Sequence, residues 1–351
     1  MSVTTENERR ILNELTKESP LSKRDVTLRC GMGWATAVKL MTRLEEQGFI
    51  IPVGSERQNG AGKTATVYTL APCRPAAIGI DIEYARARVS IRNLAGESLF
   101  DAEQKTPPFS DPAEMTDFLA SLLDGASAKA AELGVSLGGA GIGVPSHLFG
   151  NEGMAYDVLA AELSARAGFV VRVDNNIRCF TAAKASAAAP GNSMLVVTIR
   201  SGIGVGIVLG GHIYQGERGC AGEIGHMPVD PAGRRCRCGK FGCLETVVNR
   251  EALAGDLEAA GLGETAARQR MDRAAGLLGT AIASMMLVLD VRQVEIFAEL
   301  GKPGQAFAAL VRKAAQRAMY PGFAFELRYE TLDARAYVEG AAQLILNEYI
   351  R

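Results

Sequence analysis

Residues 223–245, EIGHMPVDPAGRRCRCGKFGCLE, hold one of the chain's three histidines and three of its seven cysteines between two glutamates. An odd cysteine count clustered as CRCGKFGC reads as metal ligation more than as a disulfide framework in a chain of 351 residues. That length exceeds one ordinary domain and predicts two or three units. A hydrophobic content of 48% is ample for their cores. The net charge of -1 gives no global basic field, so any nucleic-acid or membrane contact must come from a local surface. The opening MSVTTENERR has no apolar leader core, and no uninterrupted apolar run of about 18 residues follows. A soluble cytoplasmic protein with no membrane partner is expected.

N-terminal to the cysteine window, residues 1–70 carry ten Lys or Arg against eight Asp or Glu, a slightly basic head of +2 that leaves -3 on the remainder. Ile11, Leu12 and Leu15 share one helical face, and LSKRDVTLRCG predicts a second short helix stopped at Gly31. A third helix is expected from about Trp34, with Val38, Met41 and Leu44 inward and Thr36, Lys39, Thr42 and Arg43 outward. Trp34 is expected to pack the helix start and not to read a base. FIIPVGSERQNGAGKTATVYTL then reads as a hairpin with a polar tip. This order resembles the winged helix-turn-helix module of bacterial regulators, and the alternative is a small helical dimerisation module with a hairpin. The resemblance implies DNA contacts by Thr36, Lys39, Thr42 and Arg43 in the major groove, with Arg57 and Lys63 of the hairpin on phosphate or in the minor groove.

After the Pro-containing break at residues 71–76, two β-rich runs, a helix near residues 112–133 and further strands at GAGIGVPS, VVRVDN and SMLVVTIRSGIGVGIVLGG predict an α/β body in two lobes. The tail reads as helical with one strand near VEIFAEL. Three pieces in one order, GIGVP at 141–145, SGIGVG at 201–206 and the cysteine window, resemble the ROK family of repressors and sugar kinases. The resemblance covers residues 77–351 and implies an actin-like, ribonuclease H-like two-lobed sugar-kinase body. It divides the chain into a winged helix-turn-helix domain at 1–72 and a body at 77–351. Lobe one of that body takes about 77–175 plus the C-terminal helix, and lobe two takes about 176–334. A winged helix ahead of the body is the arrangement of the family's repressors.

Within that frame, His226, Cys236, Cys238 and Cys243 supply one nitrogen and three sulfurs, a set suited to closed tetrahedral zinc. Four protein ligands leave no open coordination position, so the role is structural. The resemblance further implies that this metal shapes a sugar-contacting loop through Glu223, His226 and Glu245, with His226 serving both sites. The kinase parts depart from the family. The Asp-x-Gly-Gly-Thr-like phosphate loop is matched by Asp81, Ile82, Glu83, Tyr84 and Ala85, which places a carboxylate where phosphate would approach. The second loop reads Arg200, Ser201, Gly202, and a Gly-Gly pair is replaced by FAEL at 297–300. The family's Asn-Asp pair is matched by Asn175 and Asn176, and an amide cannot accept the sugar hydroxyl's proton. Asp174, one residue away on a strand, points to the other face. No catalytic residue is therefore assigned, and no kinase activity is expected.

Loss of that Asp also removes a charge-assisted hydrogen bond to sugar of about 1.5–3 kcal/mol. Asn175, Asn176, Glu223, His226 and Glu245 remain as effector-binding candidates. The expected protein is a dimeric or tetrameric repressor of double-stranded operator DNA that senses a sugar or related metabolite. The alternatives are an active sugar kinase with an appended DNA-binding domain, or a regulator controlled by a protein partner.

Overall fold

The computed structural model describes residues 5–57, 64–83, 85–109, 111–145, 156–185, 191–255, 264–300 and 303–350. Helix α1 (Glu6–Lys17) opens on a reciprocal cap in which Thr5 accepts from the Glu8 amide and the Glu8 carboxylate accepts from the Thr5 amide at 2.7 Å. Ser22 and Asp25 repeat that box at α2 (Lys23–Cys30), and Gly31 ends the helix at φ 57°. Helix α3 (Trp34–Glu46) buries Ala37, Met41 and Leu44, so Ala37 supplies the inward position expected of Val38, which is half-buried. Strands β2 (Ile50–Arg57) and β3 (Thr64–Leu70) form the antiparallel wing, and β1 (Leu21–Ser22) pairs with β3. The hairpin tip, with Lys63, lies outside the described residues.

The body repeats one topology twice. In the first sheet β4 (Ala76–Ile82), β5 (Arg86–Asn93) and β6 (Ser98–Lys105) run as an antiparallel meander. Strands β7 (Leu137–Val144) and β8 (Val171–Asn175) then add in parallel beside β4, giving the order β6-β5-β4-β7-β8. The second sheet has the corresponding order β11-β10-β9-β12-β13. Its members are β9 (Met194–Ile199), β10 (Ile203–Leu209), β11 (His212–Ile213), β12 (Gln293–Ala298) and β13 (Glu326–Thr331). Strand β13 is an addition to the single tail strand expected from sequence. It is an edge strand whose Glu326, Arg328 and Glu330 are exposed, so it carries too little apolar patterning to announce itself. Helices α4 (Pro112–Glu132), α5 (Tyr156–Ala167), α6 (Asn176–Ala185), α7 (Glu264–Leu289), α8 (Pro303–Ala318) and α9 (Arg335–Ile350) complete the described framework.

Contacts divide the chain into two compact units, one of Met1–Val144, Met154–Cys179 and Tyr337–Arg351 and the other of Pro145–Gly153 and Phe180–Ala336. In the first, α9 lies directly on the sheet. A Cβ at Gly141 would stand 1.7 Å from the Ala341 carbonyl oxygen, and one at Gly79 would stand 2.1 Å from that of Val338. The first glycine of GIGVP is thus required by close helix–strand approach. The apolar cluster of the winged helix is continuous with this lobe. Ile11, Leu12, Leu15, Met41 and Leu44 pack in one core with Ala77, Leu94, Ala342, Ile345 and Leu346, and the rings of Phe49 and Tyr349 meet at 5.8 Å. In the second unit α7 and α8 bury Leu278, Ile282, Met286, Phe307 and Val311 on the sheet. Residues Arg268–Leu289 are long and apolar enough to cross a membrane by length and composition alone. They form this core-packing helix.

Candidate functional site

The candidate metal-ligand set is assembled by short turns. His226 closes the turn Ile224–His226, and Cys243 immediately precedes the turn Leu244–Thr246. An isolated antiparallel bridge between Pro228 and Cys243, with the Leu244 amide donating to the Met227 carbonyl at 2.9 Å, holds the two ends together. Between them the Cys236 amide donates to Lys240 at 2.7 Å and the Gly239 amide to Cys236 at 3.0 Å, folding CRCGKFGC back on itself. Gly242 sits at φ 69°, and a Cβ there would collide with the Asp230 carbonyl oxygen at 1.5 Å.

One donor atom from each of His226, Cys236, Cys238 and Cys243 lies within 4.8 Å of all the others. The Cys238 and Cys243 sulfurs are 3.6 Å apart, and Cys236 Sγ is 3.6 Å from His226 Nδ1. A tetrahedron with sulfurs about 2.3 Å from its centre has edges near 3.8 Å, so this donor set fits a four-coordinate metal. The sulfur separation is far beyond the roughly 2.05 Å of a disulfide. Without a metal, burial and donation to the Glu245 carboxylate at 2.7 Å push the Cys236 thiol well up. His226 turns Nδ1 toward this cluster and Nε2 toward Glu223 at 3.8 Å, while Glu245 lies 3.8 Å from Nδ1. Glu223, His226 and Glu245 are therefore brought together.

Asn175 and Asn176 lie in the other unit. Asn175 Oδ1 accepts from the Ile177 and Arg178 amides at 2.9 and 3.3 Å, which makes its side chain the N-cap of α6. Its side-chain oxygen thus holds the start of α6. Asn176 is buried and donates to the Ile82 carbonyl at 3.4 Å. Asp174 accepts from Arg178 Nε at 2.6 Å and from the Asn175 amide at 2.7 Å. It is an ion-pair partner of Arg178 and an acceptor at the start of α6.

At Asp81–Glu83, the stretch matched to the family's first phosphate loop, the charge partner is a residue that sequence reasoning missed. Arg88 faces Asp81 across the β4–β5 pair and Glu103 across β5–β6. Its guanidinium reaches Asp81 at 3.5 Å, Glu83 at 3.4 Å and Glu103 at 3.0 Å. A buried carboxylate such as Asp81 demands that cation. Counting the hairpin register outward from the Ile82–Ala87 pair would have found it. Tyr84 lies outside the described residues. In the second unit Arg237, between Cys236 and Cys238, donates to the Ser201 carbonyl of the β9–β10 turn. Phe297 packs edge-on to Phe180 at 5.1 Å, Leu300 is core, and Glu299 pairs with Arg250, so FAEL is filled with structural contacts.

On the winged helix, Thr36 and Lys39 are exposed and Thr42 is half-buried. Arg43 is exposed but pairs with the buried Glu8 of α1 at 3.3 Å, which ties its guanidinium to the module's own scaffold. Arg57 ends β2, and its side chain, like Lys63, lies outside the described set. Trp34 departs from expectation: it is 58% exposed at the first position of α3 and does not pack the helix start.

Residues 77–348 match the profile of the ROK family, and residues 4–51 that of a winged helix-turn-helix DNA-binding module. The chain is similar to the xylose repressor of Bacillus spizizenii, 24% identical over 263 residues that cover 72% of this chain and 68% of the repressor. It is also similar to the glucokinase of Halalkalibacterium halodurans, 28% identical over 310 residues, 76% of this chain and 94% of the kinase. Among solved structures, a ROK family transcriptional regulator homologous to the E. coli MLC protein shares the fold over 98% of this chain and 96% of its own, with a TM-score of 0.78 at 20% identity.

Proposed function

The chain belongs to the ROK family, and from that premise we propose that it is a DNA-binding transcriptional repressor whose kinase-like body senses a carbohydrate or related metabolite without phosphorylating it. The observation that carries this reading is a winged helix with Thr36 and Lys39 exposed on α3, built on a core shared with the body's C-terminal helix. We assign residues 1–72 to the DNA-binding domain and 77–351 to the sensor body. The cytoplasm is the compartment of such a regulator. Zinc is the metal that His226, Cys236, Cys238 and Cys243 would hold, and its part is to fix the loop that aims Glu223, His226 and Glu245 at an effector. Asn175 and Asn176 are further effector-binding candidates, Asn175 with its side-chain oxygen also holding the start of α6.

The operator reader is a dimer or higher oligomer on this reading, and its operator a pseudo-palindrome whose half-sites repeat at whole turns of roughly 10–10.5 base pairs. Affinity is expected to fall with salt by about one unit of log-log slope for each neutralised phosphate. Lys39→Ala should weaken binding to a selected duplex more than to a scrambled one, and Lys63→Ala should weaken both alike. Fluorescence anisotropy of labelled duplexes across a salt series checks both; equal losses for Lys39→Ala on the two duplexes would remove it from base reading.

The rival reading, an active sugar kinase, takes its support from the glucokinase relative. Against it stand Asn176 in place of a base and Glu83, clamped by Arg88, where phosphate would enter. Sugar-dependent ATP hydrolysis is expected to be absent across a panel of sugars and amino sugars. Turnover of about 1–100 s⁻¹, the ordinary kinase range, would establish the rival.

A further inference from the structure

We infer that Trp34 is a base-reading residue that lays its indole on a thymine methyl in the major groove of the operator. The inference rests on the repressor reading above and adds to it which side chain supplies apolar specificity. Tryptophan is among the residues that folded chains bury most of on average, yet this one, the only tryptophan of the chain, is 58% exposed. It stands at the first position of α3, and the N-terminal residues of the recognition helix are the ones that meet base edges in this class of module.

The surroundings favour close approach. Ala35 and Thr36 are exposed beside Trp34, so the first turn of α3 presents one bulky apolar plate, one small residue and one hydroxyl before Ala37 turns inward. The N-cap is Gly33, which contributes no side-chain cap bond and has open space where a Cβ would project. Lys39 follows one turn later to hold phosphate or a guanine edge. In the major groove the C5-methyl of thymine is the apolar feature among the donors and acceptors, and apolar side chains recognise it. An aromatic face at this position therefore selects thymine, and burying it against the methyl removes its exposed surface from water.

Because the tryptophan is unique, its fluorescence reports this one position. The full-length chain would first be used to enrich binding duplexes from a randomised pool. Labelled selected and scrambled duplexes then give affinity by anisotropy, while tryptophan emission is followed in the same titration. The expected result is an emission shift or quenching with the selected duplex at the stoichiometry of binding. Trp34→Ala should lose about tenfold in affinity for the selected duplex, the loss of one base-pair reading, and less for the scrambled one. Trp34→Phe should recover part of that loss. Uracil in place of the half-site thymines should cost the parent roughly fourfold for each methyl contacted and cost Trp34→Ala nothing. Selected duplex bound with unchanged emission and equal affinity by Trp34→Ala would overturn the inference while leaving the repressor reading intact. An emission shift that follows protein concentration without DNA would overturn it in favour of a contact between copies. Failure of the full chain to enrich any duplex would take down the repressor reading itself.

Discussion

Deleting residues 1–70 is expected to abolish binding to operator DNA and, at the same time, to lower the melting temperature of the remaining body. A winged helix tethered by a linker could be removed at no cost to its neighbour. Here Phe49, at the end of the helical module, stacks near Tyr349 at the end of α9, and Ile345, Leu346 and Ala342 of that helix lie in the same apolar cluster as Leu12, Met41 and Leu44. The deletion turns those C-terminal side chains out into water, at about 1.5–3 kcal/mol for each large one that loses its cover. Point substitutions test the same joint more gently. Phe49→Ala and Tyr349→Ala should each destabilise by about 3–5 kcal/mol, the usual range for removing a buried aromatic ring. Their effects should be non-additive, because the two rings share one contact. Thermal melts of the deletion, both single variants and the double variant, read alongside DNA anisotropy, check this. A truncated body melting at the parent temperature would show that the shared core carries no stability.

The same joint shows what sequence could deliver. Helices α1 to α3 and the wing were legible because their signals are local: Ile11, Leu12 and Leu15 repeat at helical spacing, and Gly31 marks a left-handed stop. The metal window was legible because four donors fall within eighteen residues of chain, and the fold needed only short turns to gather them. Other features depend on contacts distant in sequence or on geometry that composition does not encode. Gly79 and Gly141 fall in strand-forming runs, and only the arrival of α9, with Val338 against the first and Ala341 against the second, explains why they lack a side chain. Arg88 became meaningful through strand register. Asn175 also serves as a helix cap, a function that ligand chemistry does not announce and for which Asn is well suited. Trp34 was misjudged because amphipathic spacing assigns faces within a helix and says nothing of a first residue that overhangs its end.

Cys243→Ser is expected to cost the protein its metal, its effector response and much of the stability of the loop at 223–245. The parent should carry about one zinc per chain by elemental analysis. Cys238→Ser should act in the same direction, whereas Cys220→Ser, at an exposed cysteine outside the cluster, should keep the full complement. Structural zinc contributes about 10–16 kcal/mol of apparent binding free energy in small peptides at neutral pH, so even a fraction of it exceeds most single-residue effects. Here the gain is spread over a loop with little apolar material of its own. Cys236 and Cys243 are buried in it, but Arg234, Arg235, Arg237, Lys240 and Phe241 are exposed. Two features should make the loss felt beyond the loop. His226 has Nδ1 in the cluster and Nε2 toward Glu223, so loss of a metal held there would free the ring to rotate away from Glu223. Arg237, between Cys236 and Cys238, also ties the loop to the Ser201 carbonyl at the β9–β10 turn. A chelator should therefore abolish any sugar-induced shift in melting temperature while leaving the wing and α3, in the other unit, competent to hold DNA. Full zinc content in Cys238→Ser and Cys243→Ser, with parent-like melting, would refute the ligand set; normal effector response in a metal-depleted protein would refute the coupling.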